Sequence, residues 1–337
     1  MEVVATIKDR HDIDLVEKIR YLCSIGIKVY RFNLAKPMSE QHRNMLFDKL
    51  NEIRNIDNDL KIMLDIPYPG KKVRIYCKTH SVRIKADSEY TIIAGKEAEQ
   101  LQGDLYITDE LYSFCISEGD CLIYDMGQGG FQVKEQVSNN IIIVRALNSF
   151  VLQSMKSLSL GVVKEKAYGD VIDKICMRIQ PDYFAFSFVE QVTELTEAIV
   201  AQKKYGFKIV SKIETELGIN NLNEIVNVSD AIMLARGDLG INTPLNSLYN
   251  FEQKISHICN RYKRKYLIAS GFMNSCITDY LPSRSDMIDL AYALSLSPDG
   301  VVLNTDLVLT KRIESVLEYI ARTTESLKNT EKENCDE

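Results

Sequence analysis

Eight short apolar runs recur along the chain, at Val3–Ile7, Lys28–Leu34, Lys61–Ile66, Tyr183–Phe188, Lys208–Glu214, Ala231–Arg236, Tyr266–Ser270 and Gly300–Asn304. Each is bounded by charge or glycine, the pattern of a buried strand. Between them apolar residues recur at helical spacing, at Leu15–Ser24, Gln41–Ile53, Val192–Tyr205, Leu248–Tyr262 and Met287–Ser297, with a last amphipathic stretch at Lys311–Leu327. Buried strands alternating with helices predict an α/β fold with a parallel sheet, and eight such units predict a closed (β/α)8 TIM barrel. The third unit is interrupted by Pro67-Tyr68-Pro69-Gly70, a strong strand stop. The residues that follow alternate apolar and polar positions in short runs separated by polar turns, such as VRIYCK, YTIIAG and NIIIVRAL. This predicts a small antiparallel β domain inserted after strand 3. The expected organisation is barrel over 1–69, insertion over 70–155, barrel again over 156–327, and a charged, disordered tail over 328–337.

Composition narrows the function classes. The chain has 337 residues, 45% of them hydrophobic, enough for one large domain with an insertion. The net charge of −6 and the lack of a basic block argue against a nucleic-acid partner. The apolar runs are only strand-length, so no membrane span is expected, and the N-terminus lacks a signal-peptide layout. Eight cysteines are scattered without C-x-x-C spacing, which predicts reduced thiols in a cytoplasmic protein. The four histidines lie far apart in sequence and form no zinc signature.

The chemistry concentrates at residues 208–240. One strand run carries Lys212 and Glu214 with a single residue between them, so both side chains leave the same face. The next runs into Arg236-Gly237-Asp238. A lysine and two carboxylates at the ends of consecutive strands make a divalent-metal site with a cation beside it. Glu214 and Asp238 suit Mg²⁺ or Mn²⁺, which prefer carboxylate oxygens and retain water.

The pair SKIE (211–214) and ARGDLG (235–240), in that order, resembles the active-site core of the pyruvate kinase family, and the resemblance runs from Thr6 to about Ser326. It implies metal-dependent phosphotransfer between phosphoenolpyruvate and a nucleoside diphosphate such as ADP. It assigns Lys212 to the charge on the moving group and Glu214 and Asp238 to the metal. The turn at Gly237 and Asp238 would hold the carboxylate of phosphoenolpyruvate or pyruvate. Ser270, in the place of a family threonine, would bind that carboxylate or pass a proton to the enolate carbon. Arg31, in a segment similar to the family's R-L-N-F-S-H, would grip a phosphate fork-wise. Arg74 is matched to a further substrate arginine. Asn33, Lys36, Asp65 and Lys72 fall in the segments of the monovalent-cation and nucleotide sites. The inserted β domain corresponds to the family's lid, which closes over the barrel mouth and excludes water.

The departures are also informative. Ala35 and Ile66 replace a serine and a threonine that ligate K⁺, and Lys72 replaces a glutamate, so K⁺ is not expected to be required. The motifs on the nucleotide side are eroded, at Lys8-Asp9, Lys36 and Asn304-Thr305-Asp306. The family's C-terminal allosteric domain is expected to be absent, which favours a monomer or homodimer and a specialised, secondary-metabolic role. Two alternatives stay open: enolate chemistry with another phosphoryl acceptor or a carbon–carbon bond, and a non-catalytic regulatory homologue.

Overall fold

The computed structural model describes residues 1–8, 13–34, 40–66, 72–95, 102–107, 116–159 and 169–336. The chain begins with β1 (Glu2–Ile7), α1 (Leu15–Ser24), β2 (Val29–Asn33), α2 (Glu40–Ile53) and β3 (Lys61–Ile66). Among the described residues nine strands follow: β4 (Lys72–Tyr76), β5 (Ser81–Ile84), β6 (Glu89–Ala94), β7 (Leu105–Ile107), β8 (Cys121–Tyr124), β9 (Gly129–Ser138), β10 (Ile141–Ala146), β11 (Phe150–Gln153) and β12 (Lys156–Ser159). Then come α3 (Gly169–Cys176), β13 (Tyr183–Phe186), α4 (Thr196–Tyr205), β14 (Lys208–Ile213), α5 (Glu216–Asn220), α6 (Leu222–Val228) and β15 (Ala231–Ala235). The chain ends with α7 (Arg236–Asn242), α8 (Leu248–Tyr262), β16 (Lys265–Ala269), α9 (Arg284–Ser295), β17 (Gly300–Leu303), α10 (Thr305–Val308) and α11 (Ile313–Asp336).

Two compact units result, Met1–Ile66 with Tyr168–Glu337, and Pro67–Ala167. In the first, β1, β2, β3, β13, β14, β15, β16 and β17 close a wholly parallel barrel. Its strands alternate between two apolar environments. Ile7, Phe32, Leu64, Phe184, Ile209, Ile232, Ile268 and Val301 pack outward in the core shared with the helices. Val4, Val29, Met63, Ala185, Val210, Met233, Leu267 and Val302 fill the barrel interior. Period-2 alternation on strands buried on both faces produces this division. The helices are held locally: Asp14 caps α1 by accepting from Val16 and Glu17 N–H, and Thr215 caps α5 by accepting from Gly218 N–H. At Gly218 an added methyl would sit 2.6 Å from the Val189 carbonyl, so the packing of this turn requires glycine.

In the second unit seven strands close on themselves in the order β10, β6, β7, β4, β12, β8, β9, and β11 pairs with β5. All pairs are antiparallel except β6 with β7, which is parallel. The unit reaches past the expected boundary at 155. β12 pairs with both β4 and β8, and its short polar sequence KSLS carries no apolar run to mark it. The tail also differs from expectation, since α11 continues through residues 328–336 instead of ending near Leu327. Lys, Glu and Asn without Pro or Gly do not break a helix, however charged the stretch. Among the described residues no helix is long and apolar enough to cross a membrane.

Candidate active site

The site grows out of the barrel interior by one more step of strand alternation. Two residues beyond the inward-facing Val4, Val29, Met63, Ala185, Val210 and Val302 stand Thr6, Arg31, Asp65, Ser187, Lys212 and Asn304. Each therefore projects into the C-terminal mouth of the barrel. The apolar interior supplies the floor, and the polar residues above it share a low-dielectric, crowded space.

Lys212 sits at the centre of this layer. Its Nζ donates to Ser187 Oγ at 2.8 Å and lies 3.2 Å from both Asp65 Oδ2 and Glu214 Oε1. Ser187 Oγ donates to Asp65 Oδ1 at 3.2 Å. Arg31 donates to Asp65 Oδ2 through both Nε and Nη2, and its Nη1 donates to Thr6 Oγ1 at 2.9 Å. Burial alone would lower the Lys212 pKa, but Asp65 and Glu214 hold it above its ordinary value. Burial alone would raise that of Asp65, but Lys212 and Arg31 hold its carboxyl below the usual range. The lysine is thus a fixed ammonium and the aspartate a fixed carboxylate.

Glu214 is 1% exposed, and its Oε2 accepts the Phe188 N–H at 2.6 Å. Phe188 holds the left-handed backbone at φ 53°, unusual for a large side chain, and this turns its N–H toward the carboxylate. Asp238 enters from the first turn of α7. It lines a cavity of about 60 Å³ together with Thr6, Arg31, Lys212, Glu214 and Ser270. Asn242 donates to the carbonyls of both Glu214 and Asp238, tying the two segments together. Two cations, Arg31 and Lys212, face three carboxylates, Asp65, Glu214 and Asp238, so the layer carries one net negative charge. A divalent cation reverses that sign, and two carboxylates are the usual protein share of a Mg²⁺ site. Among the described residues no cluster of three or more His, Cys, Asp or Glu forms a metal cage, so waters and substrate oxygens would complete the sphere. The donor set fits the ion.

Ser270, just past β16, adopts φ 76° and is followed by Gly271 at φ 87°. The turn aims the Ser270 carbonyl at Arg236, whose Nε and Nη2 donate to it at 3.1 and 2.9 Å. Arg236 is clamped in turn by Asp289, at 2.6 and 2.7 Å, and covers the Phe272 ring at 4.3 Å. It is a buried strut that fixes the turn beside the cavity.

The structure brings together Arg31, Asp65, Lys212, Glu214, Asp238 and Ser270. Asp65, expected on the cation side, instead anchors Arg31 and Lys212. The Arg31 edge expected to grip a phosphate grips Asp65, which leaves one N–H on each of Nη1 and Nη2 for a ligand. Gly237 lies in the first turn of α7 and Asn33 ends β2. Arg74 and Lys72 lie on β4 of the second unit. Lys36 and the Lys72 side chain lie outside the described residues. Thr6 and Ser187 were not expected as site residues from sequence, because each reads as an ordinary polar strand end, and Asn304 was noted only as part of an eroded motif. The same period-2 count that pairs Lys212 with Glu214 would have found them on the other strands.

A parallel (β/α)8 barrel with a lysine, an arginine and carboxylates around its C-terminal mouth defines a TIM-barrel protein with a charged site at the ends of its strands. The family model described as pyruvate kinase, barrel domain, matches residues 1–308. The chain belongs to that family. It is 28% identical over 307 residues to a pyruvate kinase of Clostridium perfringens, covering 86% of this chain and 63% of the relative. It is 25% identical over 301 residues to that of Bacillus licheniformis, covering 86% and 51%. It is 24% identical over 333 residues to that of Thermotoga maritima, covering 95% and 69%. The chain thus spans roughly half to two-thirds of the length of these relatives.

Proposed function

We propose that the chain is a phosphotransferase of the pyruvate kinase type, moving a phosphoryl group between phosphoenolpyruvate and ADP. The observation that carries this is the Lys212 ammonium held between Asp65, Ser187 and Glu214 in the cavity shared with Asp238 and Arg31. Phosphoryl transfer asks for positioned charge more than for covalent help from the protein. The bond from phosphorus to the enol oxygen breaks, the bond to the ADP oxygen forms, and the enolate carbon takes up a proton. Lys212 stabilises charge on the moving group and on the enolate oxygen. Glu214 and Asp238 would hold Mg²⁺ or Mn²⁺, which when bound supplies positive charge to the phosphoryl and carboxylate oxygens. Arg31 offers its two remaining N–H groups to a phosphate. Gly237, Asp238 and Ser270 hold the substrate carboxylate, and Ser270 or a water delivers the proton.

K⁺ is not required in this reading. Ala35 and Ile66 remove two oxygen ligands, and the Asp65 carboxylate is already taken by Arg31 and Lys212. A ³¹P NMR time course with phosphoenolpyruvate, ADP and Mg²⁺, first without K⁺, is the test. ATP should appear, chelation of the metal should stop it, and strong K⁺ activation would remove the potassium-independent part. An unchanged spectrum would leave the second reading, enolate chemistry with another acceptor. The eroded nucleotide side favours that reading. Asn304, for example, is occupied in capping α10 and in donating to Asn274.

A further inference from the structure

Behind the Ser270 turn lies a polar cluster that the phosphotransfer reading leaves unused. Glu252, on α8, is 3% exposed, and its Oε1 lies 3.9 Å from Arg236 Nη1. That is too long for a hydrogen bond. Its Oε2 and the Tyr266 hydroxyl on β16 are both buried with no hydrogen-bond partner among the described residues. Arg236 is already neutralised by Asp289, so Glu252 is a second carboxylate facing a single cation. A buried carboxylate oxygen without a donor is costly to keep ionised.

We propose that Glu252 is a positioning residue for the carboxylate end of the site, acting through Arg236 on Ser270 and the start of α7. The proposal rests on the reading that Ser270 and α7 receive the substrate carboxylate. Protonated, Glu252 leaves Arg236 to Asp289 and to the Ser270 carbonyl. Ionised, it draws Nη1 across the 3.9 Å gap and loosens the bonds that hold Ser270 in its left-handed turn. Lys212 lies outside this cluster, so the effect falls first on carboxylate binding and reaches the chemical step only as far as Ser270 delivers the proton. The groups facing Glu252 are Arg236 on α7, Asp289 and Tyr292 on α9, and Tyr266 on β16, with Cys259 of α8 itself beside Tyr266. Burial holds the two phenols and the Cys259 thiol neutral at physiological pH. Arg236 and Asp289 are then the charges it meets. Burial is the largest effect and outweighs the lowering by Arg236, Asp289 adds a smaller push upward, and Glu252 is raised to about 7.

The test compares wild type with Glu252→Gln, which imitates the protonated form at every pH. In wild type the KM for phosphoenolpyruvate should rise roughly threefold to tenfold as the pH passes through about 7, with a smaller change in kcat. The variant should keep the low KM throughout. An infrared carbonyl band of a protonated carboxylic acid should vanish over the same range in wild type and be missing from the variant. A variant that keeps the wild-type KM profile, or the band, overturns the proposal. If neither protein turns over, the phosphotransfer reading fails by itself, and calorimetric binding of pyruvate with Mg²⁺ carries the comparison. A pH-dependent Kd in wild type alone supports the proposal, and equal Kd profiles overturn it. If Glu252→Gln does not fold, Asp289→Asn removes the second carboxylate that pushes Glu252 up. It should move the midpoint of the KM profile to lower pH, and an unmoved midpoint overturns the proposal.

Discussion

At the scale of residues, one buried carboxylate organises the site. Asp65 is 1% exposed and takes hydrogen bonds or ion pairs from Arg31, Lys212 and Ser187. Removing its charge leaves two cations facing each other, so Asp65→Asn should cost about 3–5 kcal/mol. The sign with pH follows from its depressed folded pKa. The stabilisation is complete above the unfolded value, about pH 4, and is lost as pH falls through the folded one. Thermal melts should therefore show a gap between wild type and Asp65→Asn at neutral pH that narrows below about pH 4. Lys212→Met tests the other partner. Asp65 keeps Arg31, so the layer should still bind Mn²⁺, measured by electron paramagnetic resonance. Turnover should drop by about 10²–10³-fold. Unchanged turnover would remove Lys212 from the mechanism.

At the scale of elements, the decisive features are short turns that follow strands. The β14–α5 turn brings Gly218 against the Val189 carbonyl, so Gly218→Ala must displace backbone. It should destabilise by about 1–3 kcal/mol in a denaturant titration. It should also weaken metal binding, because Val189 follows Phe188, whose N–H holds Glu214. An unchanged midpoint would mean that the turn relaxes freely. These turns also mark where sequence reading stopped. The barrel strands and the helices α1 and α8 were legible to within a residue or two, because their apolar patterns are uninterrupted, even in the four-residue strands β13 and β17. β7, β11 and β12 were not: LYI is too short to show a period, FVLQ is mostly exposed and KSLS mostly polar.

At the scale of the whole molecule, the chain is two units with separate apolar cores. The second closes its own seven-stranded sheet and buries its own cluster around Ile75, Leu122, Phe131 and Val144. Residues 67–167 expressed alone should therefore unfold cooperatively in a circular dichroism melt, and a broad, gradual transition would show that the barrel is needed to hold them. The sequence by itself determined the barrel, the insertion after β3 and the cluster of Lys212, Glu214 and Asp238. Those depend on local alternation and on motifs within a few residues of one another. Only the tertiary structure decided that Asp65 belongs to Arg31 and Lys212, that Thr6 and Ser187 complete the layer, and that Glu252 faces Arg236. These partners are separated by tens to more than a hundred residues. Closing a parallel barrel brings them together, and no periodicity along the chain records which strand ends become neighbours.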